Sequence, residues 1–232
     1  TLSSNIMKLL FLGCSWTYGD ELATGHRAQE RIIEKRFSTI IGKRLNAEVV
    51  NLSSSGLSNH AIARKFLNQD LKQYNHVFVQ LTLPERTEWF DAKGTSLKDQ
   101  PKSSIMKIKT GRINNRRFLL VKKNNAKWSS IMPNFPQYMR TGNLIDGKEW
   151  WQHYYEEIYT DKFGETEEML IYNLVKNKLT NLGIKHTIMS INPKCKLPVD
   201  LNLKNGKYPR AKGNHPNSIG HIMIANDIIK LL

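Results

Sequence analysis

The 232-residue sequence predicts an α/β fold: a central parallel sheet with helices on both faces. Three observations predict it. Within the first 81 residues, short apolar runs alternate with segments of helical period in the order β-α-β-α-β, joined by short connections. Parallel sheets are assembled this way, through right-handed crossovers. Each of these three apolar runs ends in small or polar residues, so three strand ends gather along one edge of the sheet. A fourth apolar run, 184–191, follows a long helical segment and supplies another strand.

The elements follow in order. Residues 6–12 read as a short buried strand that stops at Gly13 and enters Gly13-Cys14-Ser15-Trp16-Thr17-Tyr18-Gly19. Such a turn presents backbone N–H groups and one hydroxyl, that of Ser15, at the edge where open α/β sheets bind ligands. Read alone, it is a strand-to-helix turn in which Ser15 caps the next helix; the rest of the chain raises the other reading. Residues 20–29 are polar and loop-like. Ile33, Phe37, Ile40, Ile41 and Leu45 are spaced for one buried face and predict a helix over 30–45. The second strand, 47–52, ends in Ser53-Ser54-Ser55-Gly56-Leu57-Ser58-Asn59. Ile62, Phe66, Leu67 and Leu71 mark the next helix. The third strand, 76–81, runs into Thr82-Leu83-Pro84-Glu85-Arg86, where Pro84 stops it.

The character then changes. Residues 91–140 hold twelve Lys and Arg against two acids, about two-thirds of the net charge in about a fifth of the chain. The runs 105–108 and 118–121 flank Gly111 and Asn114-Asn115 and predict a two-stranded hairpin. Trp128, Phe135 and Tyr138 follow. The segment reads as a basic, aromatic-bearing insertion, a flap beside the end of the third strand. Residues 148–181 are helical, and Trp150, Trp151, Tyr154, Tyr155, Ile158 and Tyr159 form an aromatic cluster explained as core packing. Gly183 suits a C-cap. Residues 192–214 form a Pro- and Lys-rich loop, and 217–232 a closing helix. Repeats and linkers are absent, so 1–232 reads as a single domain.

Composition excludes several classes. No apolar run approaches a membrane span. Two cysteines, Cys14 and Cys195, are no disulfide framework. No Cys or His pair has zinc spacing, so neither a metal nor a cofactor is expected. The first apolar run lacks a cleavage site and reads as a strand, which makes the cytoplasm the default location. The net charge of +15 suits attraction to polyanions, or reflects lysine accumulation without a binding role.

Near the C-terminus, Gly213-Asn214-His215-Pro216-Asn217-Ser218-Ile219-Gly220-His221 places a histidine in a loop just before a helix, with Pro216 suited to its first turn. With this block the chain resembles the SGNH (GDSL-like) hydrolase superfamily, especially its phage-encoded and bacterial members. The matching blocks are GCSWTYG, NLSSSGLSN, QLTLPER and HPNSIGH, in the family's order and across nearly the whole chain. The resemblance implies a three-layer, flavodoxin-like fold. It implies Ser15 as nucleophile, His215 as general base and then acid, and the N–H groups of Ser15 and Gly56 as oxyanion donors.

The sequence departs from the family pattern twice. The family's third block supplies an asparagine as an oxyanion donor, and here Thr82 stands in that place. Arg86 is a substitute donor or a loop-bracing arginine. The family's orienting acid stands two or three residues before the histidine, where this chain has Gly213 and Lys212. Three alternatives stay open: a backbone carbonyl orients the ring, an acid such as Asp20 or Glu21 comes from elsewhere, or the site is degenerate. Asn59 is a further candidate for the cleft lining, against a capping role. His221 reads as structural.

The reading that follows is a carboxylic ester hydrolase acting on O-acyl groups of a small molecule or a polysaccharide, O-acetyl groups among them. Two alternatives accompany it. One is a non-catalytic binding or virion-associated protein that kept the fold. The other is a nucleic-acid or polyanion binder using 91–140, whose basic and aromatic residues interleave.

Overall fold

The computed structural model describes residues 6–22, 29–90, 111–113, 116–122, 128–133, 159–204 and 206–232. In chain order the strands are β1 (Lys8–Leu12), β2 (Glu48–Asn51), β3 (His76–Leu81), β4 (Thr87–Phe90), β5 (Gly111–Ile113), β6 (Arg116–Lys122), β7 (Trp128–Pro133), β8 (Lys185–Ser190) and β9 (Leu201–Asn202). The helices are α1 (Ser15–Tyr18), α2 (Gln29–Lys35), α3 (Phe37–Leu45), α4 (Asn59–Leu67), α5 (Asp161–Asn181) and α6 (Ser218–Ile229).

Five strands make a parallel sheet in the order β2-β1-β3-β8-β9. Counted within that sheet the order is 2-1-3-4-5, the doubly wound, flavodoxin-like arrangement. The chain leaves β1 toward β2, then crosses back over β1 to β3. Right-handed crossovers in opposite directions put α3 and α4 on opposite faces. The closing helix α6 packs on α3, and α5 packs on α4, which completes three layers. The crevice of such a sheet opens at the switch point, outside the carboxyl ends of β1 and β3.

Burial explains why these runs are strands. Leu9 to Leu12 and every residue of β3 are buried, as continuous apolar runs must be in a sheet covered on both faces. Phe11 and Phe78 are register partners, and their rings stack at 4.3 Å. The edge strand β2 is only half-buried.

Several expectations need correction. The helix expected over 30–45 is two helices, because Arg36 takes an extended backbone (φ −66, ψ 140). That break frees the Phe37 N–H to donate to His221 Nδ1 at 3.1 Å. The helix expected from 148 starts at Asp161, where the Thr160 hydroxyl accepts from Phe163 N–H at 3.0 Å; residues 148–158, with most of the aromatic cluster, lie outside the described residues. The loop 192–214 contains β9, held beside β8 by Asp200 N–H to Ile188 O and Leu203 N–H to Ser190 O, both 2.8 Å.

The basic segment holds more strand than a hairpin needs. The run 118–121 lies in β6, the middle of an antiparallel sheet ordered β4-β7-β6-β5. Gly111, expected in a turn, stands in β5 opposite Phe118. The run 105–108 and the rest of 91–110 lie outside the described residues. Among the described residues no helix is long and apolar enough to cross a membrane.

Candidate active site

The site grows from the end of β1. Gly13 sits where any side chain would collide: a Cβ there would lie 2.5 Å from Thr17 Oγ1 and 2.8 Å from Gln80 Oε1. The chain then makes one helical turn, α1, closed by Tyr18 N–H to Cys14 O and Gly19 N–H to Ser15 O, both 2.9 Å. Ser15 is its first residue. Cys14 in the cap position supplies no side-chain bond, so the leading N–H groups of the turn are left for other acceptors. Gly19 (φ 86) ends the turn in the left-handed region.

Two residues later Glu21 is also left-handed, at φ 66. A non-glycine residue there is uncommon and costs conformational energy. The bend carries the carboxylate to the loop before α6. Glu21 Oε2 lies 2.7 Å from His215 Nδ1 and accepts from His215 N–H at 3.2 Å, while Oε1 accepts from Gly213 N–H at 2.6 Å. On its other side His215 Nε2 lies 2.9 Å from Ser15 Oγ. The 211–215 loop is tight, with Ala211 N–H to His215 O at 2.8 Å and Asn214 at φ 73.

The chemistry follows from the partners. An ionised carboxylate only accepts hydrogen bonds, so Nδ1 carries the ring proton and Nε2 faces the Ser15 hydroxyl as acceptor. Partial burial pushes the Glu21 carboxyl up, but the His215 ring, the His215 and Gly213 N–H groups and the His215 charge outweigh it. The pKa settles below its ordinary value of 4.5. Glu21 is thus an anion at neutral pH, and the three residues form a hydrogen-bonded line from acid to hydroxyl. Of the open alternatives for orienting His215, an acid from the loop after α1 is the arrangement present.

The other candidates fall into two groups. Gly56 (φ 75) lies in the loop after β2, and that loop is tied to the serine turn by Ser54 N–H to Gly13 O at 3.2 Å. Ser55 adds a hydrogen bond to Asp20. Among the described residues no backbone carbonyl accepts from the Ser15 or Gly56 N–H. Thr82, Asn59 and Arg86 are all buried. Thr82 is fully buried, and Asn59 brackets its backbone, accepting from Thr82 N–H at 2.7 Å and donating to its carbonyl at 3.3 Å. Asn59, 3% exposed, thus ties the start of α4 to the end of β3 through the Thr82 backbone. Arg86 Nη1 donates to Leu57 O at 3.3 Å and braces the loop behind Gly56.

Sequence reasoning overlooked two supports. Asn51, at the end of β2, donates to Thr17 O at 3.3 Å and Ser38 Oγ at 3.0 Å, joining the serine turn to α3. Gln80, near the end of β3, lies directly under the serine turn. Its signal was a lone amide in the run His76-Val77-Phe78-Val79-Gln80-Leu81.

No protein-family model matches the chain, and no curated protein matches it in sequence. Solved structures do match. A psychrotrophic esterase, EstA from Pseudoalteromonas sp., inhibited by monoethylphosphonate, is 12% identical over 96% of this chain and 94% of its own, with a TM-score of 0.45. An acetyl xylan esterase, AlAXEase, is 13% identical over 97% of this chain and 100% of its own, also at 0.45. A family two carbohydrate esterase from Clostridium thermocellum, in complex with cellohexaose, is 10% identical over 97% of this chain and 63% of its own, at 0.42.

Proposed function

We propose that the chain is a serine ester hydrolase of the SGNH kind, one domain across its length, with Ser15 as nucleophile, His215 as base and Glu21 as the orienting acid. The observation that carries this reading is the unbroken line Glu21–His215–Ser15, with contacts of 2.7 and 2.9 Å. A hydroxyl, an imidazole and a carboxylate in that order are the parts that acyl transfer needs.

In the first half-reaction Ser15 Oγ attacks the ester carbonyl while its proton passes to His215 Nε2. The imidazolium that forms is stabilised by the Glu21 anion. The oxygen that gains charge is held by the N–H groups of Ser15 and Gly56. Loss of one such donor costs about 10²–10³ in rate. Collapse of the intermediate breaks the C–O bond to the alcohol, which takes the proton from His215 and leaves the acyl group on Ser15. In the second half-reaction a water gives its proton to His215 and attacks the acyl-enzyme. The acid departs and the proton returns to Ser15.

The finer reading is an O-acyl, such as O-acetyl, group carried by a polysaccharide. Its support is the charge of 91–140, which suits an acidic glycan. The four sequence blocks support the superfamily and its phage-type and bacterial subgroup.

The experiment is p-nitrophenyl acetate hydrolysis by the wild type, Ser15→Ala and His215→Ala. Each substitution is expected to lower kcat by about 10³-fold or more. A wild type without hydrolysis, or a Ser15→Ala variant that keeps it, overturns the proposal.

A further inference from the structure

Gln80 is fully buried at the end of β3, and its amide meets the serine turn at several points. Oε1 accepts from Cys14 N–H at 3.1 Å and from the Thr17 hydroxyl at 3.0 Å. Nε2 donates to Leu81 O at 2.7 Å, and the Cys14 thiol lies 3.4 Å from both amide atoms. A backbone N–H only donates and a carbonyl only accepts, so Cys14 and Leu81 together fix which end of the amide is which. The glycine at 13 is what allows this approach.

The location explains the need. The ladder between β1 and β3 ends at the pair Leu12–Val79. Beyond it the chain turns into α1, a single turn without a side-chain cap. Such a turn has little stability of its own. The Gln80 amide takes the Cys14 N–H where a neighbouring strand's carbonyl would otherwise stand. It therefore extends the sheet's hydrogen bonding by one rung, to the residue before Ser15.

We infer that Gln80 is a positioning residue: through Cys14 and Thr17 it holds the serine turn against β3, so that Ser15 Oγ stays within reach of His215. This inference rests on the hydrolase reading above. Displacing a reacting group by about 1 Å costs on the order of 10²-fold in rate.

The test compares Gln80→Leu, Gln80→Glu and Val79→Ala with the wild type. It reads kcat and KM for p-nitrophenyl acetate, thermal stability, and amide hydrogen exchange across 13–19. Gln80→Leu, similar in size but without hydrogen bonds, is expected to lower kcat about 10- to 100-fold with KM within about twofold. Val79→Ala, which only removes core volume, is expected to lower stability and leave kcat near wild type. Gln80→Glu separates positioning from packing. A protonated buried carboxyl keeps one acceptor and one donor, so this variant is expected to recover activity near about pH 6 and lose it as the carboxylate forms against Leu81 O. If Gln80→Leu does not fold, Thr17→Val is read in its place, with an expected drop in kcat of about 3- to 10-fold.

Wild-type kcat in Gln80→Leu, or a loss matched by Val79→Ala at equal stability, overturns the inference. If the wild type itself shows no Ser15-dependent hydrolysis, the hydrolase reading has failed, and hydrogen exchange decides the role of Gln80. Faster exchange across 13–19 in Gln80→Leu alone upholds the positioning role, and unchanged protection overturns it.

Discussion

Glu21 supplies the carboxylate to a histidine 194 residues away. Its left-handed backbone, at φ 66, is a cost that the three hydrogen bonds to His215 and Gly213 offset. Two predictions belong to this residue. Glu21→Gln keeps the shape but removes the charge behind the imidazole and its claim on the Nδ1 tautomer. It is expected to lower kcat by about 10³–10⁴-fold, measured on p-nitrophenyl acetate. The second concerns titration. A carboxyl with a folded pKa below its ordinary value gives stability that is present above that value and lost as pH falls through the lowered one. The Glu21 carboxyl carbon, followed by NMR, is expected to titrate below 4.5 in the wild type and to move upward in His215→Ala.

At the scale of elements, the histidine of the closing helix does a helix cap's work. His221 is fully buried and stacks on Phe37 at 5.5 Å. Its Nδ1 takes the first N–H of α3, whose own cap residue, Arg36, offers no side-chain bond. Its partner is a helix terminus in the same layer. Replacing His221 by Phe leaves that N–H buried and unpaired and is expected to cost about 1–2 kcal/mol by urea unfolding. Burial, with Arg36 and His215 adding to it, holds the His221 pKa down to about 3. A histidine depressed in the fold is neutral there and charges first in the unfolded chain. Its contribution is therefore lost as pH falls below its ordinary 6.5. The Phe variant is expected to lack that part of the acid sensitivity.

For the molecule as a whole, the doubly wound sheet brings the ends of β1 and β3 together at its switch point, and the closing loop returns His215 to the same edge. The layers are tied together by buried polar groups. One is Glu168 on α5, 3% exposed, whose carboxylate accepts from Asn192 Nδ2 just past β8 at 3.1 Å. Burial pushes its pKa up to about 7; the Asn192 bond opposes this, and the nearby Glu85 and Glu165 charges reinforce it. A carboxyl raised in the fold contributes stability that is intact below its ordinary 4.5 and is lost as pH rises through about 7. Glu168→Gln keeps the shape and never ionises. It is expected to be more stable than the wild type by about 2–3 kcal/mol near pH 8, with little difference near pH 5, in urea unfolding at the two values.

The sequence by itself determined four of the five strands of the main sheet, β1, β2, β3 and β8, and their order along the chain, because apolar runs and helical periods are local properties. The candidate serine and histidine were also legible, since each sits in a short block of small residues at a strand or helix end. Glu21 was visible only as one of two acids in a polar loop after the serine turn. Gln80 was visible only as an amide in an apolar strand. What selects Glu21 over Asp20 is a left-handed backbone at one residue and the folding of a loop near the other end of the chain. What gives Gln80 its place is the parallel register of β1 against β3, which sets that amide under Cys14. Contacts of this kind join residues far apart in sequence through backbone angles and register, and only the tertiary structure decides them.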